Sequence, residues 1–163
     1  MTTLAVTGHI DLTEDSMPLI RGALANLLTR YTTAGRLIGV SCLAQGADSL
    51  FAEAVLTAGG RLIAVIPSQD YRRHQVGPDQ APLFDHFVDS AEEVVVLPHT
   101  TANRQAYEAA NTVLLRRADR LVAVWNGEPP TGRGGGTADT VRAARAAGIP
   151  VDVVWPEGAA RRG

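Results

Sequence analysis

Lysine is absent from this 163-residue chain: all 15 basic residues are arginine. That excludes Schiff-base chemistry and a Walker-type phosphate lysine. Any charged contact to phosphate must come from arginine, and the remainder from backbone N–H groups or a metal. One cysteine, Cys42, permits neither an internal disulfide nor a CxxC zinc or redox motif, which fits a reducing compartment. Apolar runs are short, and none approaches the ~20 residues that span a bilayer. The start, Met1-Thr2-Thr3-Leu4-Ala5-Val6, lacks the basic segment and long apolar stretch of a signal peptide. The expectation is a cytoplasmic protein with no membrane partner. A formal net charge of −2 and a pI near 6.1 disfavour a polycation that coats nucleic acid.

What is present is a globular composition, 45% apolar and 20% charged, at a length that suits one domain over 1–163. Short β-branched runs alternate with longer helical patterns. Strands are expected at 4–7, 36–43, 62–66, 93–97, 121–125 and 149–155. They are continuously apolar rather than alternating, as in strands covered on both faces. A helix is expected from about Ser16, its N-cap, with Met17, Ile20, Leu24, Leu27 and Tyr31 on one face and Gly35 at its end. Further helices are expected at about 46–58, 103–118 and 137–147. Residues 68–90 break the rhythm and read as an insertion beside or over the site. Residues from about 157 read as a frayed tail. The alternation predicts an open, mainly parallel α/β sheet of Rossmann-like type with helices on both faces. In such sheets ligands bind at the carboxyl ends of the strands.

Three loops fall at those ends. Gly132-Arg133-Gly134-Gly135-Gly136-Thr137 joins a strand to a helix. Its glycines permit close backbone approach, and the N–H groups of the helix start favour an anion. Thr137 could cap the helix or donate to a phosphate oxygen, and Arg133 adds positive charge. In Ala44-Gln45-Gly46-Ala47-Asp48-Ser49, Asp48 could accept from a ribose diol or stabilise the helix start. Gly46 serves strand–helix packing or a tight turn. In Thr7-Gly8-His9, Gly8 permits close approach of a ligand. His9 is a phosphate donor, a general acid/base or an ordinary loop histidine. On the helix at 103–118, Asn103, Tyr107 and Asn111 recur every four residues and share a stripe. That stripe is polar at its start, which fits a helix end facing a wet pocket, and Arg104 beside it could pair with phosphate. His74, His86 and His99 lack metal-ligand spacing, so no metal site is expected, and no cofactor is called for. No GxGxxG, GxxxxGK[ST] or GxSxG motif is present.

Val6-Thr7-Gly8-His9, Gln45-Gly46-Ala47-Asp48, the run Asp119–Gly127 and Gly135-Gly136-Thr137-Ala138-Asp139-Thr140 together resemble the SLOG superfamily. This is the Rossmann-like group that includes the LOG proteins and the DprA nucleotide-binding core, and the resemblance covers nearly the whole chain. It implies a nucleotide or nucleotide-derived ligand with its phosphate at the last glycine-rich loop. The LOG motif PGGxGTxxE would place a catalytic glutamate where this chain has Thr140, and neighbouring Asp139 projects roughly 100° away from that position.

The expected partner is therefore a nucleotide-type small molecule, such as a nucleoside phosphate or an ADP-ribose-like compound, with no nucleic acid. Gly8, His9, Gln45, Gly46, Asp48, Tyr107, Asn111, Arg133, Gly134, Gly135, Gly136 and Thr137 would bind it, in sensing or nucleotide metabolism. The enzymatic alternative is a LOG-like phosphoribohydrolase cleaving an N-glycosidic bond, with Asp48, Asp139, Glu108 and Arg104 as catalytic candidates. A homodimer is expected through alanine-rich surfaces such as Ala143, Ala144 and Ala147.

Overall fold

Why six apolar runs make one sheet is visible in their pairing, in a computed structural model that describes residues 1–33, 35–130 and 136–162. The elements are β1 (Thr2–Gly8), α1 (Ser16–Thr32), β2 (Leu37–Ser41), α2 (Ala47–Thr57), β3 (Arg61–Ile66), α3 (Tyr71–Gln75), α4 (Ala81–Ser90), β4 (Glu93–Val96), α5 (Arg104–Arg117), β5 (Arg120–Val124), α6 (Thr137–Ala146) and β6 (Val151–Val153). The strands lie in the order β4-β3-β2-β1-β5-β6, and every neighbouring pair is parallel.

Alternate residues of each strand feed opposite cores. Leu4 and Val6 pack with Ile20, Leu24 and Leu28 of α1 and with Phe51 and Val55 of α2. Ala5, Val40, Leu121 and Ala123 pack on the other face with Ala110 and Leu114 of α5 and with Val141 and Ala144 of α6. Leu62, Ala64 and Ile66 of β3 meet Phe84 and Phe87 of α4. So α1, α2 and α4 cover one face, and α5 and α6 the other. The chain winds outward from β1 to β4, crosses back through α5, and resumes on the far side of β1 at β5. The strand order reverses at the β1/β5 boundary, and the crevice at those strand tips is the topological switch point.

Several local expectations change. Strand β2 stops at Ser41, because the Ser41 hydroxyl takes the Leu43 N–H at 3.0 Å and Leu43 adopts a positive φ of 58°. Ser16 is not a cap. It is fully buried, and its Oγ accepts the Ala160 N–H at 2.7 Å and donates to the Ala160 carbonyl at 3.1 Å. These bonds belong to the segment expected to fray. Instead it folds back as a strap: Arg162 N–H donates to Asp11 O at 2.7 Å, Leu12 and Arg161 form an antiparallel bridge, and Arg161 pairs with Asp11 at 2.8 Å. Residues 68–90 are also more than an insertion, since α4 is the crossover that a parallel β3–β4 pair requires. Ala144, one of the alanines expected at a dimer surface, is buried in the core, whereas Ala143 and Ala147 are exposed. Among the described residues no helix is long and apolar enough to cross a membrane.

Candidate functional site

A cleft of about 560 Å³ opens at the switch point. Its lining comes from the tips of β1 and β5, the β2–α2 turn, α3, α4, the start of α6, the flank of α5, and Arg161 of the strap. The sequence had placed Gly8, His9, Gln45, Asp48, Tyr107, Asn111, Gly136 and Thr137 at such a site, and all line this cleft.

At the tip of β1, packing sets the glycine. A Cβ on Gly8 would come within 2.3 Å of the Ala47 Cβ and 2.9 Å of the Val124 Cβ. Glycine is required there so that β1 can meet α2 and β5, whether or not a ligand approaches. Gly46 answers the same need from the other side. Its φ is +78°, and a Cβ would sit 2.7 Å from the His9 carbonyl. Gly46 is buried and supports the cleft from behind.

His9 is held on three sides. Its N–H donates to Val124 O, its carbonyl accepts from Ala47 N, and its Nε2 accepts from Asn126 N at 3.1 Å. The ring stands edge-on to Trp155. Burial, reinforced by the Arg161 guanidinium, keeps its pKa below the ordinary value of 6.5. At neutral pH it is an uncharged ring with its proton on Nδ1. Of the three roles weighed for it, this geometry suits the ordinary structural histidine, which here latches the β1 and β5 loops to α2.

Asp48 sits in the first turn of α2 and is about nine-tenths buried. Its Oδ2 accepts from Ala44 N at 3.3 Å, and its backbone carbonyl accepts from the Ser41 hydroxyl. Burial raises the carboxyl to a pKa of about 7, against the lowering effect of the Ala44 hydrogen bond. Cys42 beside it is fully desolvated, and its thiol is pushed well above the ordinary value, so it stays protonated.

One wall is aromatic. Tyr107 on α5 meets Tyr71 of α3 edge-on at 6.3 Å, and Tyr71 leans on Phe84 of α4 at 6.2 Å. Burial raises the pKa of both tyrosines, so both hydroxyls keep their protons. Asn111 and Leu114 continue the wall one and two turns along α5. Asn103, the first member of the predicted polar stripe, caps α5 through Oδ1 accepting from Ala106 N at 2.9 Å.

At the start of α6, Gly136 is the N-cap with no side-chain hydrogen bond, and Gly136, Thr137, Ala138 and Asp139 line the cleft. Asp139 thus lies at the site, whereas Thr140 is buried with its Oγ1 donating to Gly136 O at 3.2 Å. The inward face of α6 runs through Thr140, Val141 and Ala144, which leaves the residue before Thr140 at the strand tips. Arg133, Gly134 and Gly135 lie outside the described residues. Arg104 and Glu108 are not brought in. They pair with each other at 2.9 Å on the exposed side of α5, away from the cleft lining.

The sequence reading missed Tyr71, Phe84, Trp125 and Arg161. Tyr71 and Phe84 lie in the segment whose rhythm is broken, and Arg161 lies in a tail with no periodicity. A visible signal was the strand β5 itself, which Trp125 directly follows; the Trp125 Nε1 donates to Glu128 O at 3.0 Å and shapes the following loop.

No family model and no curated protein matches the chain. Solved structures do. DNA processing protein A of Streptococcus pneumoniae superposes with a TM-score of 0.68 at 20% identity, over 97% of this chain and 52% of that one. DNA processing protein A of Helicobacter pylori, described by a single-stranded DNA binding mode, gives 0.67 at 16% identity, over 98% and 68%. The molybdenum cofactor carrier protein of Chlamydomonas reinhardtii gives 0.56 at 21% identity, over 93% and 75%. This chain therefore spans about half the length of the S. pneumoniae protein. The likeness is one of fold: an open, Rossmann-like parallel sheet with helices on both faces.

Proposed function

We propose that this protein binds a nucleotide or nucleotide-derived small molecule, a nucleoside phosphate or an ADP-ribose-like compound, at the β1/β5 switch point. The observation that carries this reading is the convergence in one cleft of a buried carboxyl, an aromatic wall and a helix start. Asp48 is suited to accept from sugar hydroxyls. Tyr107, with Tyr71 behind it, is suited to lie against a base, and Asn111 to donate to it or accept from it. The N–H groups in the first turn of α6, which have no acceptor within the helix, favour phosphate at that end. Of the solved structures of like fold, one is a carrier of the molybdenum cofactor, a small molecule, and the H. pylori protein binds single-stranded DNA. A net charge of −2 favours the small molecule here.

Calorimetric titration and thermal melting with nucleoside 5′-monophosphates, ADP-ribose and NAD test the reading. At least one is expected to bind and to raise the melting temperature. Asp48→Ala is expected to weaken that ligand about tenfold by removing a charge-assisted hydrogen bond. No binding by any of them to folded protein overturns the reading.

One observation favours a second reading, a phosphoribohydrolase. A carboxyl with a pKa of about 7 exchanges protons readily near neutrality, and Asp48 has that value inside the cleft. Against it, the position of the LOG glutamate is Thr140, buried and bonded to its own helix. Release of free base from a nucleoside 5′-monophosphate, lost in Asp48→Asn, would establish turnover. Binding without release leaves the protein a receptor.

A further inference from the structure

We propose that Arg161, on the C-terminal strap, grips the anionic group of the ligand and selects for a single phosphate; this rests on the nucleotide-binding reading above. Three carboxyl residues line the described part of the cleft, Asp48, Glu128 and Asp139, and His9 is uncharged. Against them stands one lining cation among the described residues, Arg161. Without it, a phosphate entering that surface would meet no cationic side chain among the described residues, only the N–H groups of the α6 start set against carboxyl groups.

The strap holds this arginine for the task. Ser16 binds both the N–H and the carbonyl of Ala160, and Thr13 N–H donates to the same carbonyl at 3.0 Å. The side chain is then fixed at one point: its Nε donates to Asp11 Oδ1 at 2.8 Å. Among the described residues its two terminal nitrogens make no hydrogen bond, so one edge of the planar fork is left for an incoming oxyanion. Its charge is felt inside the cleft, where it helps to hold the His9 ring neutral. One arginine set against three carboxyls fits one phosphomonoester better than a triphosphate, whose added charge would find no second cationic side chain among the described lining residues.

The test compares the four common nucleosides with their 5′-monophosphates and triphosphates by calorimetry on the full chain. The wild type is expected to favour a monophosphate over its nucleoside by about tenfold or more, and over its triphosphate. In Arg161→Gln the monophosphate preference is expected to fall to about one, with nucleoside affinity unchanged. Asp11→Asn breaks the same ion pair but keeps the guanidinium, so it is expected to retain the preference. Arg161→Lys, which keeps the charge and loses the fork, is expected to lie between. An equal loss in Asp11→Asn and Arg161→Gln would mean that the arginine only pins the strap, and overturns the inference. So does equal binding of nucleoside and monophosphate to the wild type, which leaves the nucleotide-binding reading standing. No binding by any of the panel overturns the inference, and if ADP-ribose and NAD also fail to bind, the nucleotide-binding reading falls with it.

Discussion

Asp48 shows how much a single residue's surroundings decide. Read along the chain it is an ordinary acid in the first turn of a helix, where a carboxylate is welcome. In the fold its carboxyl is enclosed, and burial raises the pKa from 3.8 to about 7. The folded state therefore holds a proton that the unfolded chain has released between those values. Stability falls as pH rises from about 4 through 7, then levels off. Asp48→Asn removes that dependence. The variant is expected to match the wild type near pH 3.5 and to exceed it at pH 8.5, by on the order of 2–4 kcal/mol. Urea unfolding at the two pH values measures this. An equal loss at both would show the carboxylate ionised and supporting Ala44. Two other residues resist a reading in isolation. Gly8 and His9 line the cleft, but the shape of Gly8 is dictated by Ala47 and Val124, and His9 spends its Nε2 on Asn126. Their partners are dozens of positions away, so nothing local announces them.

Among elements, the tightest junction is where β1 ends against α2 and β5. Gly8→Ala is expected to cost about 1–3 kcal/mol, because the added methyl must displace β-carbons rather than flexible chain ends. Gly22→Ala is the control. It lies in α1 with nothing within 4 Å of the new methyl, and is expected to add about 0.5–1 kcal/mol. Thermal melting of both reads out the difference, and a Gly8→Ala protein as stable as the wild type would refute the close approach. Elements were readable because their signal is local. Each apolar run between glycines and prolines became a strand, and α1, α2, α5 and α6 start close to where their patterns start. Boundaries failed where a side chain intervened. Ser41 ends β2 by taking a backbone N–H, and Ser16 serves the strap instead of α1.

For the whole molecule, arginine does all the cationic work, and its pairs set the response to acid. Hydrogen bonds from Arg72, Arg117 and Arg120 hold Asp85, Glu93 and Asp152 below their ordinary carboxylate values. Groups lowered in this way stabilise the fold above their unfolded pKa, and that contribution is lost as pH falls below about 4, through the folded values. Asp152 is the most enclosed of the three. It accepts two bonds from Arg120 of β5 and one from Tyr31 of α1, so it ties the last strand to the body. Asp152→Asn is expected to cost on the order of 1 kcal/mol at pH 7, discounted for partial exposure, and next to nothing at pH 2.5. Denaturant titrations at both pH values check it, and a pH-independent loss would assign the effect to packing.

At this scale the boundary between sequence and structure is plain. Hydrophobic period, glycine and proline placement, and the missing lysine are properties of neighbouring residues. They alone determined a parallel α/β sheet whose strand-to-helix loops gather at the strand tips. Which tips meet was decided by the crossover through α5, which sets β5 beside β1 rather than beyond β4. That step puts Asp48, Tyr107 and Thr137 around one cleft, and strap contacts made across 150 positions add Arg161 to it. Such contacts depend on the path of the whole chain in space, and a pattern that decays within a few helical turns carries no record of them.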